Sequence, residues 1–498
     1  MKMRKTKKEI IVEDVEILDA AAEGMSIARL DLDGSGQEMV VFVPFVVPGD
    51  IVDLKIFKKK KSYAEGRALS IKRPSSKRIE LQCPHFGNCG GCKWQNMDYE
   101  EQLRYKQKQV KDNLERLGNV DTHTMRHICG SENIYYYRNK LEYTFSTKQW
   151  HTLEEMEQLG KEAISKERGA LGFHAPQLFD KVLNIEHCAL QKDPSNDIRL
   201  AVRDYAFEHD LPFYDIRNHT GFLRNLMIRN SSIGEWMVVL SIATGGEQTD
   251  RTLTPEAQEM LFPLLEMLKA KFPQLTSIQY VVNNKFNDTY NDLNIITYYG
   301  KDHIIETMEG YNGGKTLEFM INPKSFFQTN SLQAQRLYSF VAEFADLKGE
   351  EVVYDLYTGT GTIALFLAEK AKKVVGIEYV EEAIADARIN STHNGFDNTV
   401  FYAGDMAKVL TEEFIAQNGR PDVVVTDPPR AGMHEKVVEQ LLMTEAPTIV
   451  YVSCNPATQA RDLELLSSKY DVVAIQPVDM FPHTQHVENV VKLSLKKH

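Results

Sequence analysis

The 498-residue sequence predicts an α/β protein in three parts: a small N-terminal β-barrel, a central α+β region and a C-terminal doubly wound, mostly parallel sheet. Three observations carry this. The last third alternates apolar β-runs with helical patterns, in EVVYDLYTGTGTIALFLA, KKVVGIEYVEEAIADA, TVFYAGD, PDVVVTDPP, TIVYVSC and DVVAIQPVDM. Continuous apolar strands of this kind need helices on both faces. Residues 10–71 carry short β-like runs punctuated by Gly34, Gly36 and Pro48-Gly49 instead, the pattern of a small all-β barrel. The chain is also longer than one hydrophobic core usually serves.

The barrel is expected over 8–72, from IIVEDVEIL, MVVFVPFV, DIVDLKIFK and RALSIK. A basic block overlaps its end: Lys55, Lys58, Lys59, Lys60, Lys61, Arg67, Lys72, Arg73, Lys77 and Arg78 are opposed only by Glu65. Net charge is −12, which excludes nucleic-acid binding over the whole surface, but a local block still attracts phosphates through counterion release. A lysine run alone fits a solvated loop equally well. A Cys-rich stretch follows. Then Leu103, Val110, Leu114 and Leu117 share one face of a helix from Tyr99 to Leu117, whose end Gly118 marks. Residues from about Tyr135 to Tyr299 mix strands and helices without a repeat, with a charged insertion near Thr152 to Arg168. The expected domains are therefore 8–72, then 75–95 with 125–315, then 96–124 with 316–498.

Apolar content of 43% and charged content of 26% exclude a disordered, collagenous or coiled-coil chain. The start, MKMRKTKKEIIVEDVE, has no apolar stretch behind its basic residues, and the run Met39 to Val47 is interrupted by Pro44. Neither a signal peptide nor a membrane span fits, so a cytoplasmic protein is expected. Six cysteines in such a chain point to metal binding or catalysis rather than a disulfide framework.

The chemistry begins at Asp355 to Ala364, DLYTGTGTIA, where Gly359 and Gly361 permit a tight turn and close approach of a ligand at a helix start. Glu378 ends the next strand, where a carboxylate can accept hydrogen bonds from ribose hydroxyls. Gly359-x-Gly361-x-x-Ala364 loosely matches a dinucleotide fingerprint, so a nicotinamide enzyme competes with a methyltransferase using S-adenosylmethionine. The continuation decides between them. Asp427-Pro428-Pro429-Arg430 follows the fourth strand and a thiol, Cys454, the fifth, and base methylation has a use for both. Amino-methyltransferases close an Asp-Pro-Pro motif with an aromatic residue, whereas Arg430 stands here. An exocyclic amine is already nucleophilic; carbon 5 of uracil is not, and needs a thiolate to add at carbon 6 first.

Cys83-x5-Cys89-x2-Cys92 places three thiols around Gly87, Gly90 and Gly91, with Cys129 or Cys188 available as a fourth. Structural zinc usually draws two close ligand pairs. A compact trio with one remote cysteine suits a cubane iron–sulfur cluster.

These pieces resemble the RNA (uracil-C5)-methyltransferase family, in particular its iron–sulfur members that modify 23S ribosomal RNA. The matching segments are CPHFGNCGGCKWQ, YYRNKLEYTF, FFQTN, DLYTGTGTIALFLA, VVGIEYVEEAIADA, VTDPPRAG, VYVSCNPATQARD and DMFPHTQHVENV, and the N-terminal barrel is similar to a TRAM domain. The resemblance implies a Rossmann-like S-adenosylmethionine-dependent methyltransferase domain. It makes Cys454 the nucleophile and Glu488 the base that removes the carbon 5 proton. Gln328, Tyr357, Glu378 and Asp427 contact the methyl donor. It also selects a [4Fe-4S] cluster on Cys83, Cys89, Cys92 and Cys188, leaving Cys129 free. Thr362 stands where some relatives carry Asn, and Asp405 where they carry Asn or Asp, so these two positions depart from a fixed pattern. His483 and His486 are expected to be structural or to face phosphate, and Asp355 to orient the glycine loop. The expected partner is RNA, 23S ribosomal RNA first and the transfer RNA T-loop second, acted on by a monomer. An inactive RNA-binding ribosome-assembly factor is the competing class, disfavoured by intact Cys454, Glu488 and Asp427.

Overall fold

The structure, a computed structural model, describes residues 10–164 and 169–497. Period-two alternation in the N-terminal runs buries Val41 and Val43 on one strand and Val52, Leu54 and Ile56 on another, forming a core with Val15, Ile17 and Ala28. The strands order as Ile10–Glu16, Ile51–Lys59, Tyr63–Arg73, Met39–Pro44, Met25–Leu30 and Asp19–Ala20. Just past the first strand, the Leu18 N–H donates to Ile27 O at 2.8 Å and so curls the sheet toward closure.

A second sheet runs Ile295–Gly300, Leu275–Val282, Trp236–Ile242, Leu223–Asn230, Lys140–Ser146, Ala170–His174, Val182–Asn184. Helices Ser195–Glu208 and Pro255–Lys271 cover one face, where Ile198, Val202, Leu261 and Leu268 meet Leu226, Ile228, Val238 and Leu240. The other face, with Met227, Met237, Val239 and Val281, shares a core with the hairpin Ile304–Met308 and Leu317–Ile321 and with helix Ser331–Ala345. That hairpin gives no distinct signal in the sequence. Part of the charged insertion forms helix Leu153–Ile164, broken at Gly160; residues 165–168 of it lie outside the described residues.

The third sheet carries the chemistry. Its strands are β1 (Val352–Leu356), β2 (Lys373–Glu378), β3 (Thr399–Ala403), β4 (Val423–Thr426), β5 (Thr448–Ser453), β6 (Tyr470–Val478) and β7 (Glu488–Leu495). They order as β3-β2-β1-β4-β5-β7-β6, parallel except for β7, which is antiparallel to both neighbours. The order of the strands reverses at β1, with β2 on one side and β4 on the other, the switch point at which open α/β sheets take a ligand in a crevice at the carboxyl ends of the strands. No helix among the described residues is long and apolar enough to cross a membrane.

Helix Tyr99–Gly118 packs its Val110 and Leu114 into the core of this sheet beside Ala460 and Leu463 of helix Pro456–Leu466. Its end differs from expectation. The left-handed cap is Asn119, at φ 48°, and Gly118 is helical. Gly118 is small for another reason: a Cβ there would lie 2.8 Å from the Ala460 carbonyl oxygen, so it lets the two helices approach.

Candidate active site

β1 delivers the glycine loop. Tyr357, Gly359 and Gly361 all hold positive φ, of 63°, 55° and 81°. Glu378, at the end of β2, ties the turn in place by accepting the N–H groups of Gly359 at 3.1 Å, Tyr379 at 2.9 Å and Val380 at 3.1 Å. A Cβ on Gly359 would meet nothing within 4 Å, whereas one on Gly361 would press Ala387 at 3.1 Å. The first glycine therefore faces ligand space and the second packs the following helix against helix Glu381–His393. The FFQTN segment joins them, for Thr360 donates its hydroxyl to the Phe326 carbonyl at 3.3 Å and Asn139 donates to the Gln328 carbonyl at 2.9 Å. The Tyr357–Gly361 turn, Glu378 and the Phe326 carbonyl thus meet at the glycine loop. Sequence reading missed two exposed rings beside it, Tyr379 directly after Glu378 and Phe326. Exposed aromatic residues next to a glycine loop were the available signal.

Asp355 is buried and accepts the Thr358 hydroxyl, which agrees with a loop-orienting role. Asp427 leaves β4 with its N–H on the Leu356 carbonyl at 3.3 Å. Burial, and then the neighbouring Asp355, pushes its carboxyl up to about 7.

The ladder brings the thiol and its candidate base together. Ser453 of β5 is the register partner of Asn489 of β7, so one step further Cys454 lies across from Glu488. Asn455 then ends the strand by capping the next helix, accepting the Ala457 N–H at 3.1 Å, with Pro456 at the first helical position. The Asn455 amide also donates to the Arg430 carbonyl at 3.1 Å and pins the Asp-Pro-Pro-Arg loop beside Cys454. Glu488 is buried; burial and then Asp427 push its carboxyl up to about 8, with Arg430 opposing. Cys454 is half-buried, and burial, Glu488 and Asp427 push its thiol up to about 11, again with Arg430 opposing. The residues therefore form a low-dielectric cluster of three acids and a guanidinium. Cys454 rests as a thiol and has to lose its proton as it attacks. Sequence reading named Arg430 only as the residue replacing an aromatic one; its charge role appears once the loop is folded onto β5.

Of the two histidines, burial, Arg430, Lys106 and Arg138 push His486 down to about 4. His483 is buried, its N–H donating to Gln102 rather than reaching Cys454.

Cys83, Cys89, Cys92 and Cys188 form a second group. Cys92 feels the charges of Cys188, Cys89 and Cys83, and Cys188 that of Cys83. Burial is the main influence raising all four thiols. Backbone N–H groups point at three of the sulfurs: His85 and Phe86 at Cys83, Gly91 at Cys89 (3.4 Å), Leu190 at Cys188. Among the described residues no group of three or more His, Cys, Asp or Glu is arranged to hold a single metal ion. Zinc, with Zn–S of about 2.3 Å, needs its sulfurs drawn in tightly. Cys129 stands apart, with Gln333 at its carbonyl and Arg336 at its thiol.

The tRNA (Uracil-5-)-methyltransferase family matches residues 294–496, and the TRAM domain matches residues 3–69. An RNA methyltransferase of Bacteroides thetaiotaomicron is 53% identical over 476 residues, covering 96% of this chain and 100% of that one. Another from Porphyromonas gingivalis is 52% identical over 483 residues, covering 96% and 99%. The crystal structure of Pyrococcus abyssi tRNA (uracil-54, C5)-methyltransferase in complex with S-adenosyl-L-homocysteine superposes with a TM-score of 0.69 at 27% identity, over 96% of this chain and 100% of that one. With a methyltransferase sheet, a barrel at its N-terminus and relatives of this likeness along nearly its whole length, the chain belongs to the RNA methyltransferases, as an S-adenosylmethionine-dependent enzyme with a tRNA (Uracil-5-)-methyltransferase family domain over 294–496 and an N-terminal TRAM domain.

Proposed function

We propose that this enzyme methylates carbon 5 of a uridine in 23S ribosomal RNA through a transient bond between Cys454 and carbon 6. The observation that carries this is the placement of Cys454 across from Glu488 at the crevice end of β5 and β7, beside Asp427 and Arg430. Addition of the Cys454 sulfur to carbon 6 moves the ring electrons onto carbon 5 and the adjoining carbonyl. Arg430 favours the ionised thiol during this step, since its charge offsets that of Glu488 and Asp427. S-adenosylmethionine supplies an electrophilic methyl when bound, held by Gln328, Tyr357, Glu378 and Asp427. The protons that Cys454 and Glu488 carry at rest leave to solvent by the time of addition, so Glu488 acts as a carboxylate: it takes the proton from carbon 5, the electrons re-form the carbon 5–carbon 6 double bond, and the Cys454 thiolate leaves. The uridine must be out of its stack to meet both groups, at a cost of a few kcal/mol that is least in a loop.

A second reading, methylation of a transfer RNA T-loop uridine, is favoured by the structural neighbour from Pyrococcus abyssi, whose name gives uracil-54 of tRNA as its target. Mapping 5-methyluridine in 23S ribosomal RNA and in transfer RNA from cells lacking this gene separates the two. Loss of the mark from a ribosomal site is expected, and loss confined to transfer RNA contradicts it.

Cys83, Cys89, Cys92 and Cys188 are proposed to hold a [4Fe-4S] cluster. The charges these thiols exert on one another, the burial of Cys188 with the other three half-buried, and the N–H groups aimed at the sulfurs of Cys83, Cys89 and Cys188 support four thiolates on one centre. Methyl transfer consumes no electron, so the centre is structural. Anaerobically purified protein is expected to contain iron and acid-labile sulfide, and Cys188→Ser to lose both. One zinc without sulfide contradicts it.

A further inference from the structure

Residues 479–487 connect β6 to β7, and the two ends of this loop, Val478 and Glu488, are register partners. The loop is therefore rooted at the carboxylate of the site, and three neighbours hold it. From helix Tyr99–Gly118, Lys106 is fully buried against Asp479 at 2.6 Å and donates to the Phe481 carbonyl at 3.1 Å, while the Tyr99 hydroxyl donates to Asp479 at 2.9 Å. From the Cys-rich segment, the N–H groups of Lys93 and Trp94 donate to the His483 carbonyl at 2.8 and 3.0 Å. From the central region, the Tyr137 hydroxyl donates to the Pro482 carbonyl at 3.0 Å.

Gln102 sits where these supports meet. Its Oε1 accepts the His483 N–H at 2.8 Å, and its Nε2 donates to the carbonyls of Trp94 at 3.0 Å and Met97 at 2.8 Å. It is fully buried, and no step of the reaction uses it. His483 is held at φ 66°, a conformation that a non-glycine residue keeps only where its surroundings over-determine it. Beyond it the loop runs through His486, which feels the charge of Arg430, to its root at Glu488.

We propose that Gln102 is a positioning residue for Glu488: by fixing His483 to the helix and to the Cys-rich segment, it holds loop 479–487 so that the carboxylate meets the carbon 5 proton. This rests on Glu488 being the base. The consequence is specific to one step. A loosened loop slows proton removal and thiol expulsion but leaves adduct formation intact, so protein–RNA adduct builds up. A merely structural role weakens every step and builds up nothing.

The test is Gln102→Met, which keeps the volume and deletes the side-chain hydrogen bonds to Trp94, Met97 and both the N–H and the ring of His483, assayed on unmodified 23S ribosomal RNA and transfer RNA transcripts. kcat is expected to fall about tenfold to a hundredfold, with KM for RNA and donor binding unchanged and the denaturant-stable adduct raised several-fold over wild type. Unchanged kcat, or a lower kcat without adduct, overturns the proposal. Should Gln102→Met fail to fold, Tyr99→Phe removes one hydroxyl from the same loop and is read the same way; adduct at the wild-type level overturns it. Glu488→Gln in parallel keeps the two claims apart. Adduct in Glu488→Gln but none in the positioning variants defeats the role of Gln102, and no adduct in Glu488→Gln defeats the base assignment beneath it.

Discussion

Glu488, the proposed base, carries a cost in stability. Its carboxyl is pushed up to about 8 from an ordinary 4.5, chiefly because the folded site denies the charge its water. Between those two values the folded protein keeps a proton that the unfolded chain releases. Unfolding free energy therefore falls as pH rises through that window, by up to about 1.4 kcal/mol per pH unit. Glu488→Gln, neutral and of the same shape, removes this slope. The variant is expected to melt above wild type at pH 8 and level with it near pH 4.5, by calorimetry on ligand-free protein. A lower melting temperature at pH 8 contradicts the buried neutral carboxyl. The identity of this residue was legible through HVEN, but its burial was not, because a Glu opening a C-terminal strand is more often solvated. What buries it is β7 sliding between β5 and β6, a pairing order no local pattern encodes.

At the scale of elements, helix Tyr99–Gly118 was legible from its apolar face, yet its terminus was misassigned. Glycine after an apolar helix ordinarily caps it. Here Asn119 takes the left-handed position, and Gly118 serves a contact with Ala460 more than three hundred positions away in sequence. The two explanations give opposite signs for Gly118→Ala. In an open helix the change stabilises by about 1 kcal/mol. Against a carbonyl oxygen at 2.8 Å it destabilises by about 1–3 kcal/mol, as overpacking does. Equilibrium denaturation is expected to show the loss, and a gain contradicts the helix contact. The central sheet was legible only as mixed α+β, since Leu223–Asn230 and Trp236–Ile242 are buried along their whole length and carry no alternation to fix a face.

Across the whole molecule, the order Asp355, Glu378, Asp427, Cys454 along the chain becomes one line along the crevice edge of the sheet, because parallel strands deliver their C-terminal residues to the same side. Motif order therefore made most of the site legible. Arg430 and Gln102 were not, since the charge of the one and the hydrogen bonds of the other reach their partners only once the 427–430 and 479–487 loops have folded into place. The acidic whole also conceals a basic barrel edge, where Lys60, Lys61, Arg67 and Arg73 are exposed, suited to phosphates around a uridine delivered to Cys454. Everything depends on sulfur bonding to that uridine, and trapping tests it most directly: fluorine at carbon 5 cannot leave as a proton does, so the adduct cannot resolve. With 5-fluorouridine-substituted ribosomal RNA and S-adenosylmethionine, a denaturant-stable complex is expected for the wild type, its peptide map ending on Cys454, and none for Cys454→Ala. A wild-type protein that methylates uridine but forms no such complex, or a Cys454→Ala protein that still forms one, contradicts it.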